Sequence, residues 1–234
     1  MTVATLEPCT EEPSAGKKHA PECLKLSLPT PQCALPHSAR GQNTAERLRG
    51  FQDVIDGLQY NHTKKTYFDV SKNRPLCDIL ATAQAMLKDA RPIKCVEAVF
   101  LALLLTTGMT ELDRFPVGFK TRVQGRVFRH IVLVVRHRPT GLFGALGLSR
   151  RATLMYKGLT YSSMSSIIAH FRDSYKACWH EVLKIRIGTP VEHSLNATRQ
   201  VCWRKCRVCL LNTTWEAAEV CFDNFAACAA SIKI

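Results

Sequence analysis

The sequence predicts an α+β protein in which helices come first and an antiparallel sheet follows. Two observations support this prediction. Between residues 44 and 108 the apolar residues recur at helical spacing. After residue 119 they instead form β-rich runs separated by turn residues. The chain has 234 residues and shows no internal repeat, so we expect one domain with a substantial core.

Three helices are predicted before the sheet. The first begins at Thr44 as N-cap and presents the apolar positions of "TAERLRGFQDVIDGLQY" along one face. The second covers residues 75–90. The third lies in 91–108, with Pro92 at or near its first turn, where proline is favoured. Its run "AVFLALLL" is apolar on every side, so we expect this helix to be central and buried.

The strands are predicted around two turns. Gly125 marks the first turn, which precedes the β-rich run 127–135, and "RHRPTG" marks the second, with Pro139 suited to its second position. "LFGALGLS" is the returning strand. A further helix and a short strand are predicted in "SSMSSIIAHFRDSYKACWHEVLKIRI", and no clear pattern follows Thr189.

The N-terminal part differs in composition from the rest of the chain. Residues 1–43 are rich in Pro, Ser, Thr and Cys without apolar periodicity, which predicts a disordered arm before a folded domain at 44–234. "MTVATLEPCTEEPSAG" has no basic segment followed by an apolar one, so secretion is not expected and the location is predicted to be cytoplasmic with reduced thiols. The longest apolar run, 98–105, is far shorter than the roughly 20 residues of a membrane span.

The charge balance predicts an acidic partner. The net charge is +13, and residues 114–157 contain ten Arg or Lys residues but no Asp or Glu. Nucleic acid, anionic lipid and acidic proteins are the candidate partners. Nucleic acid has little support, because the basic segment carries no recognised motif and few aromatic residues for base stacking.

A candidate nucleophile stands at the head of the third helix. Cys95 is predicted in its first turn, where the unpaired N–H groups and the adjacent Lys94 favour the thiolate. A nucleophilic cysteine also needs a base, which is most often a histidine. Among the eight histidines His130 is the best candidate, because it lies inside a predicted strand that could hold its ring rigidly.

The register of the second hairpin suggests a third member. If Pro139 and Thr140 are the central residues of the turn, Ser149 lies directly opposite His130. Opposed Cβ atoms are about 4.5–5.5 Å apart, close enough for the hydroxyl to orient the imidazole. Because the segment contains no carboxylate, either a hydroxyl or a backbone carbonyl must take this role.

The residues alone leave other interpretations open. The cysteine and the histidine could both be structural, and the basic segment could be a solvated face or a non-catalytic module that binds acidic surfaces. A structural zinc site is a further alternative, with ligands drawn from Cys202, Cys206 and Cys209 together with His193 or Cys221.

Ordered motifs throughout the chain resemble the vasohibins, transglutaminase-like cysteine peptidases that remove the C-terminal tyrosine of α-tubulin. The resemblance covers residues 45–190 best. It rests on "LQYNHT" (58–63), "RPIKCVEAV" (91–99), "DRFP" (113–116), "FKT" (119–121), "FRHIVL" (128–133), "GALGLSRR" (144–151) and "LMYK" (154–157).

The resemblance implies a transglutaminase-like peptidase fold and roles for individual residues. It makes Cys95 the nucleophile, His130 the general base and Ser149 the orienting residue, while an orienting backbone carbonyl would belong to Leu154. The residues that it implies for binding the substrate's terminal tyrosine and carboxylate are Tyr60, Lys94, Lys120 and Arg150. A carboxypeptidase must recognise a free carboxylate, and an arginine offers a bidentate fork for one.

The resemblance also implies the partners. The acidic tail of α-tubulin would be the substrate, which predicts a microtubule-associated protein. The family's small helical partner, the small vasohibin-binding protein, is a further expected partner, and no cofactor or metal is implied. The alternative remains a non-catalytic basic module that binds acidic microtubule tails.

Overall fold

A computed structural model describes residues 43–230 and contains helices on both faces of a six-stranded antiparallel sheet. The helices are α1 (Thr44–Gly57), α2 (Leu76–Asp89), α3 (Cys95–Leu105), α4 (Met164–Ala177) and α5 (Trp215–Ala230). The strands are β1 (Leu112–Val123), β2 (Arg126–His137), β3 (Phe143–Leu146), β4 (Lys157–Tyr161), β5 (Glu181–Ile187) and β6 (Cys206–Cys209), in the order β4-β3-β2-β1-β5-β6. This arrangement agrees with the predicted α+β class. The predicted disordered arm, except for Asn43, lies outside the described residues.

The sheet separates two apolar cores because side chains alternate between its faces. In β2, Leu133 and Val135 pack with α1, α2 and α3 on one side. Val132 and Val134 pack with α4 and α5 on the other side. The sheet is therefore covered on both faces, and the head of α3 lies against the middle strands.

The prediction that α3 is central and buried is confirmed. Every residue from Ala98 to Leu103 is fully buried. Pro92 lies outside the helix, contrary to the prediction, because α3 begins only at Cys95 with Lys94 as its N-cap. The Glu97 carboxylate accepts from the Lys94 backbone N–H at 2.8 Å and so defines this first turn. In the part of the chain that the structure describes, no helix has both the length and the apolar character of a membrane span.

The other predicted boundaries are close to the observed ones. The N-cap of α1 is Asn43 rather than Thr44, because Asn43 and Glu46 form a reciprocal capping box. The turn between β1 and β2 lies at Gln124 and Gly125, which both have positive φ angles (46° and 74°), as tight hairpin turns require. The helix and strand predicted in 162–187 are α4 and β5.

The sequence analysis missed the elements after Thr189. β6 has only four residues, and α5 buries Ala218, Phe222, Phe225 and Ala226 against the sheet. These four positions have helical spacing, but half of them are alanines, so the apolar pattern is weak. Residues 188–205 connect β5 to β6 and bring the chain back towards the head of α3.

Candidate active site

A cavity of about 340 Å³ lies at the head of α3 and brings two of the predicted catalytic residues together. Cys95 enters from α3 and His130 from β2, while Lys120 enters from β1. The other residues that line the cavity are Lys72, Asn73, Val96, Gly118, Phe119, Arg129, Ile131, Arg186, Trp203 and Arg204. The cavity therefore joins a thiol and an imidazole with a largely cationic wall.

Cys95 is the first residue of α3, as predicted, but its surroundings do not favour the thiolate. Burial raises the pKa of the Cys95 thiol above its ordinary value. A backbone hydrogen bond from Ile131 and the charge of Lys72 oppose this effect. The expectation of a thiolate stabilised by Lys94 is therefore wrong for the unliganded site. Burial dominates, and the cation that acts on the thiol is Lys72.

His130 is held by a backbone carbonyl. Its Nε2 lies 2.9 Å from the carbonyl oxygen of Leu154, which can only accept, so Nε2 carries the proton. Nδ1 is then the nitrogen that can take a proton from a thiol. Burial lowers the pKa of His130 to about 4, so the ring is neutral at physiological pH.

Ser149 does not pair with His130. The register of β2 and β3 follows the predicted turn at Pro139 and Thr140, but the ladder ends at the pair Leu133 and Leu146. Within residues 43–230, the Ser149 hydroxyl has its hydrogen bond with the Arg151 backbone N–H at 3.3 Å, and none joins it to His130.

The β2–β3 ladder ends early because the buried side chain of Gln52 takes the backbone hydrogen bonds that a neighbouring strand would otherwise form. Gln52 of α1 is fully buried and donates to the Gly147 carbonyl at 2.8 Å. Its amide oxygen accepts from the Gly147 N–H at 3.1 Å. With both backbone groups of Gly147 bound to Gln52, the chain leaves the sheet before Ser149, and the extrapolated pairing fails.

Three of the four predicted substrate-binding residues lie together beside the cavity. The guanidinium of Arg150 stands over the ring of Tyr60, 5.5 Å from its centroid. The backbone of Tyr60 pairs with that of Ile93, which immediately precedes Lys94. The fourth residue, Lys120, lines the cavity itself. The structure thus groups Tyr60, Lys94 and Arg150 at one side of Cys95.

Several cavity residues were missed by the sequence analysis. Trp203 is 9% exposed, and its indole N–H donates to the Lys72 carbonyl at 3.0 Å. The Lys72 ammonium lies over the same ring, 4.9 Å from its centroid. The signal was the motif "CWRKC", in which tryptophan and arginine stand together in a segment that otherwise looked irregular.

The chain has a clear relationship to known proteins. The vasohibin family model matches residues 2–226. The chain belongs to the vasohibin family. A mouse protein named tubulinyl-Tyr carboxypeptidase 1 is 38% identical over 202 residues, which are 86% of this chain and 52% of the mouse protein. The chain therefore spans about half the length of the curated relative that it matches.

In this vasohibin-family chain the basic segment 114–157 has two different parts. Arg122 pairs with Glu181, and both Arg136 and Arg138 pair with Asp113, so three of its cations have carboxylate partners outside the segment. Arg114 is buried in the core. Of the other cations, Lys120 and Arg129 line the cavity, whereas Lys157 is buried over the Phe171 ring in the opposite core. The expectation that the whole segment forms a basic surface around the site is therefore wrong.

The cations that line the cavity have no carboxylate partner in the part of the chain that the structure describes. Among the described residues no salt bridge involves Lys72, Lys120, Arg129, Arg186 or Arg204. Burial and the charges of Arg204, Arg207 and Arg129 lower the pKa of Arg186. Such a group of like charges is unfavourable unless an anion enters.

The alternative zinc site finds no support in the described part of the chain. No three His, Cys, Asp or Glu side chains there are grouped so that they could hold a metal ion. His193 has both ring nitrogens at backbone carbonyls, 3.0 Å from Thr107 and 2.8 Å from Leu112. It is therefore not directed at the cysteines.

Proposed function

We propose that this chain is a cysteine carboxypeptidase that removes the C-terminal tyrosine of α-tubulin. One observation carries the proposal: Cys95 and His130 share a cavity whose cations form no salt bridge within the described residues. The cysteine supplies a nucleophile and the histidine supplies a base, while the cations favour the binding of an acidic substrate. The name of the mouse relative supports the same activity.

The proposed reaction begins with a neutral pair. The Leu154 carbonyl holds the Nε2–H of His130, so Nδ1 accepts the proton of the Cys95 thiol as the sulphur attacks the carbonyl carbon before the terminal tyrosine. The first N–H groups of α3 have no partner within the helix and are donors for the resulting oxyanion. The imidazolium then protonates the departing amine of tyrosine, and water hydrolyses the thioester.

We assign substrate binding to the two groups of cations. Arg150 and Lys94, together with Tyr60, whose ring lies under the Arg150 guanidinium, are proposed to hold the terminal tyrosine and its carboxylate. Lys120 and the other cavity cations are proposed to bind the glutamates that precede it. Ser149 keeps a proposed accessory role through its neighbour Arg150.

The family relationship supports three further proposals. A cysteine at the head of a buried helix, with a histidine on an adjacent antiparallel strand, is consistent with the transglutaminase-like peptidase fold. A tubulin substrate implies a cytoplasmic, microtubule-associated protein. The small vasohibin-binding protein remains a proposed partner on the strength of family membership.

A peptide that ends in Glu-Glu-Tyr provides the test. We expect the full chain to release free tyrosine from it, and Cys95→Ala to release none while still binding microtubules. A peptide that ends in Glu-Glu serves as the substrate control. If tyrosine release survives in Cys95→Ala, the mechanism is wrong.

The second candidate function, a non-catalytic module for acidic microtubule tails, is favoured by the same unpartnered cations. The assay is therefore repeated with the small vasohibin-binding protein added. Microtubule binding without tyrosine release in both conditions would support the binding module.

A further inference from the structure

Two cysteines far from the candidate active site lie in contact on the opposite face of the sheet. The sulphur of Cys206, in β6, is 3.7 Å from the sulphur of Cys221, in α5. Both belong to or pack against the core that α4 and α5 form with the sheet. Neither residue has a part in the proposed reaction, and the described residues show no metal cluster that would use them.

The two thiols differ in accessibility and in acidity. Cys206 is 1% exposed, whereas Cys221 is only half-buried. Either sulphur can donate to the other. Because Cys206 is the more deeply buried of the two, we take it as the donor, and the contact then lowers the pKa of Cys221 and raises that of Cys206. The accessible member of the pair is thus also the one that is easier to ionise, which is the arrangement of a reactive thiol beside a resolving thiol.

We propose that Cys206 and Cys221 form an oxidation site at which a peroxide converts the dithiol into a disulfide between β6 and α5. The Cys221 thiolate attacks one oxygen of hydrogen peroxide, which gives a sulfenic acid and releases hydroxide. The Cys206 thiol then attacks the sulfenic sulphur, an S–S bond forms, and the oxygen leaves as water. The peroxide is reduced by two electrons and the two thiols are oxidised, and an external dithiol reverses the change.

Only a small movement of the two sulphurs is needed to form this bond. A disulfide requires the sulphurs to approach by about 1.7 Å from their present distance, to about 2.05 Å, a change that side-chain rotation can supply. The non-covalent attachment of α5 includes apolar contacts and Asp223, which accepts from the Ser165 N–H at 2.8 Å and from its hydroxyl at 2.7 Å. The Arg172 guanidinium also lies over the ring of Trp215. The disulfide would add a covalent link to this non-covalent attachment.

The bond would also constrain the wall of the cavity. Cys206 pairs with Ile187 in the β5–β6 ladder, one position from Arg186. Trp203 and Arg204, which line the cavity, precede Cys206 by three and two residues. Oxidation is therefore expected to rigidify β6 and the residues that lead into it, without any direct contact with Cys95.

The experiment compares the reduced full chain with the same protein after brief treatment with hydrogen peroxide. Peptide mapping with tandem fragmentation is expected to find a Cys206–Cys221 disulfide that dithiothreitol removes. The bond links Cys206 to Cys221 and so reduces the conformational entropy of the unfolded chain. We therefore expect the melting temperature to rise by about 5–10 °C. Hydrogen exchange is expected to slow in β6 and α5, with α2 as the internal reference.

Three variants sharpen the test. Cys206→Ala and Cys221→Ser should each lose the disulfide and the rise in melting temperature, while both should fold in reducing buffer. Cys209→Ser is the matched control, because Cys209 also lies on β6 but is separated from Cys206 by an odd number of positions and so faces the other way. It should behave as the parent does.

Either of two results would overturn the proposal. In the first, peroxide leaves Cys206 and Cys221 open to alkylation, or oxidises Cys221 beyond the sulfenic state without forming the bond. In the second, the disulfide found involves Cys209 or Cys228 instead. Neither result depends on peptidase activity, so the proposed function stands or falls separately.

Discussion

Arginines at the two ends of α3 differ in what their guanidinium groups contact. Arg114, buried at the end of α3, donates to the carbonyls of Leu103 and Val191 and to that of Glu192. Arg129, Arg186 and Arg204 line the cavity at the other end of α3 and form no salt bridge within residues 43–230. Arginine therefore has a structural role at one end of α3 and lines the cavity at the other end.

The difference shows how a basic sequence can be divided into structural and functional charges. Arg114 donates to a carbonyl in the last turn of α3 and to two carbonyls of the segment that follows β5, so the fold needs it. The cavity cations repel one another, and the Nε atom of Arg186 is buried without a hydrogen-bond partner among the described residues. A fold retains such an arrangement at a cost in stability, which an acidic ligand can offset.

The largest effect expected from this comparison is on stability. Replacing Arg114 with Leu removes the guanidinium that donates to the carbonyls of Val191 and Glu192. It also removes one of the two donors to the Leu103 carbonyl, which keeps the Thr107 hydroxyl. We expect a loss of about 2–4 kcal/mol in the free energy of unfolding. Arg129→Ala is the matched control from the cavity, with an expected change below about 0.5 kcal/mol. Urea denaturation measures both. Equal losses would remove the distinction between the groups.

Lowering the pH should destabilise the fold through protonation of His130, which lines the cavity. Its pKa is about 4 in the folded state, below the ordinary histidine pKa of 6.5 in the unfolded state, so the unfolded state binds the proton more readily. The stability that comes from the neutral ring is complete above pH 6.5 and is lost as the pH falls through about 4. We expect this loss to reach about 2–3 kcal/mol.

Denaturation curves between pH 7 and pH 4 check this prediction. The variant His130→Gln should show a weaker dependence on pH over the same range, because glutamine does not titrate. His62→Gln, a change outside the cavity, serves as the control and should keep the parent's slope. If the free energy of unfolding depends on pH as steeply in His130→Gln as in the parent, the prediction of a buried neutral imidazole at His130 is wrong.

The third effect concerns the terminal carboxylate. Removing the guanidinium in Arg150→Ala should lower kcat/KM on a tyrosine-ended peptide by about 10–100-fold, since a charge-assisted contact is worth about 1.5–3 kcal/mol. Arg122→Ala is the partnered counterpart, because Arg122 is bound to Glu181, and it should change turnover little. Microtubule binding should weaken less than turnover in Arg150→Ala, and equal losses would argue against a carboxylate-binding role.

The sequence predicted the parts of the site that local patterns encode. An apolar run with a cysteine at its head predicted the buried α3, and the β-rich run around His130 predicted β2, so both residues could be identified before their contacts were known. Trp203 and Arg204 were missed because their place depends on the β5–β6 pairing, which no local pattern encodes. The charge partners of Arg122 and Arg136 were missed because both carboxylates lie outside the acid-free segment: Asp113 immediately precedes it, and Glu181 lies on β5.

The smallest effect expected is at Ser149, where the extrapolated register and the structure disagree. The turn at Pro139 and Thr140 was correct, but Gln52 binds Gly147 and ends the ladder first, so the Leu154 carbonyl holds His130. We therefore expect Ser149→Ala to lower kcat by no more than about 3-fold, through the loss of its hydrogen bond to the Arg151 N–H and a small displacement of Arg150.

A pH profile separates the two possible roles of Ser149. If the hydroxyl only supports the loop, Ser149→Ala should keep the acid limb of kcat/KM where the parent has it, because the environment of His130 is unchanged. Gln52→Leu should lower kcat more than Ser149→Ala does. It leaves both backbone groups of the buried Gly147 without their Gln52 partner and frees the segment that carries Ser149 and Arg150. A loss of 100-fold or more in Ser149→Ala, with a displaced acid limb, would instead restore the hydroxyl as the group that orients His130.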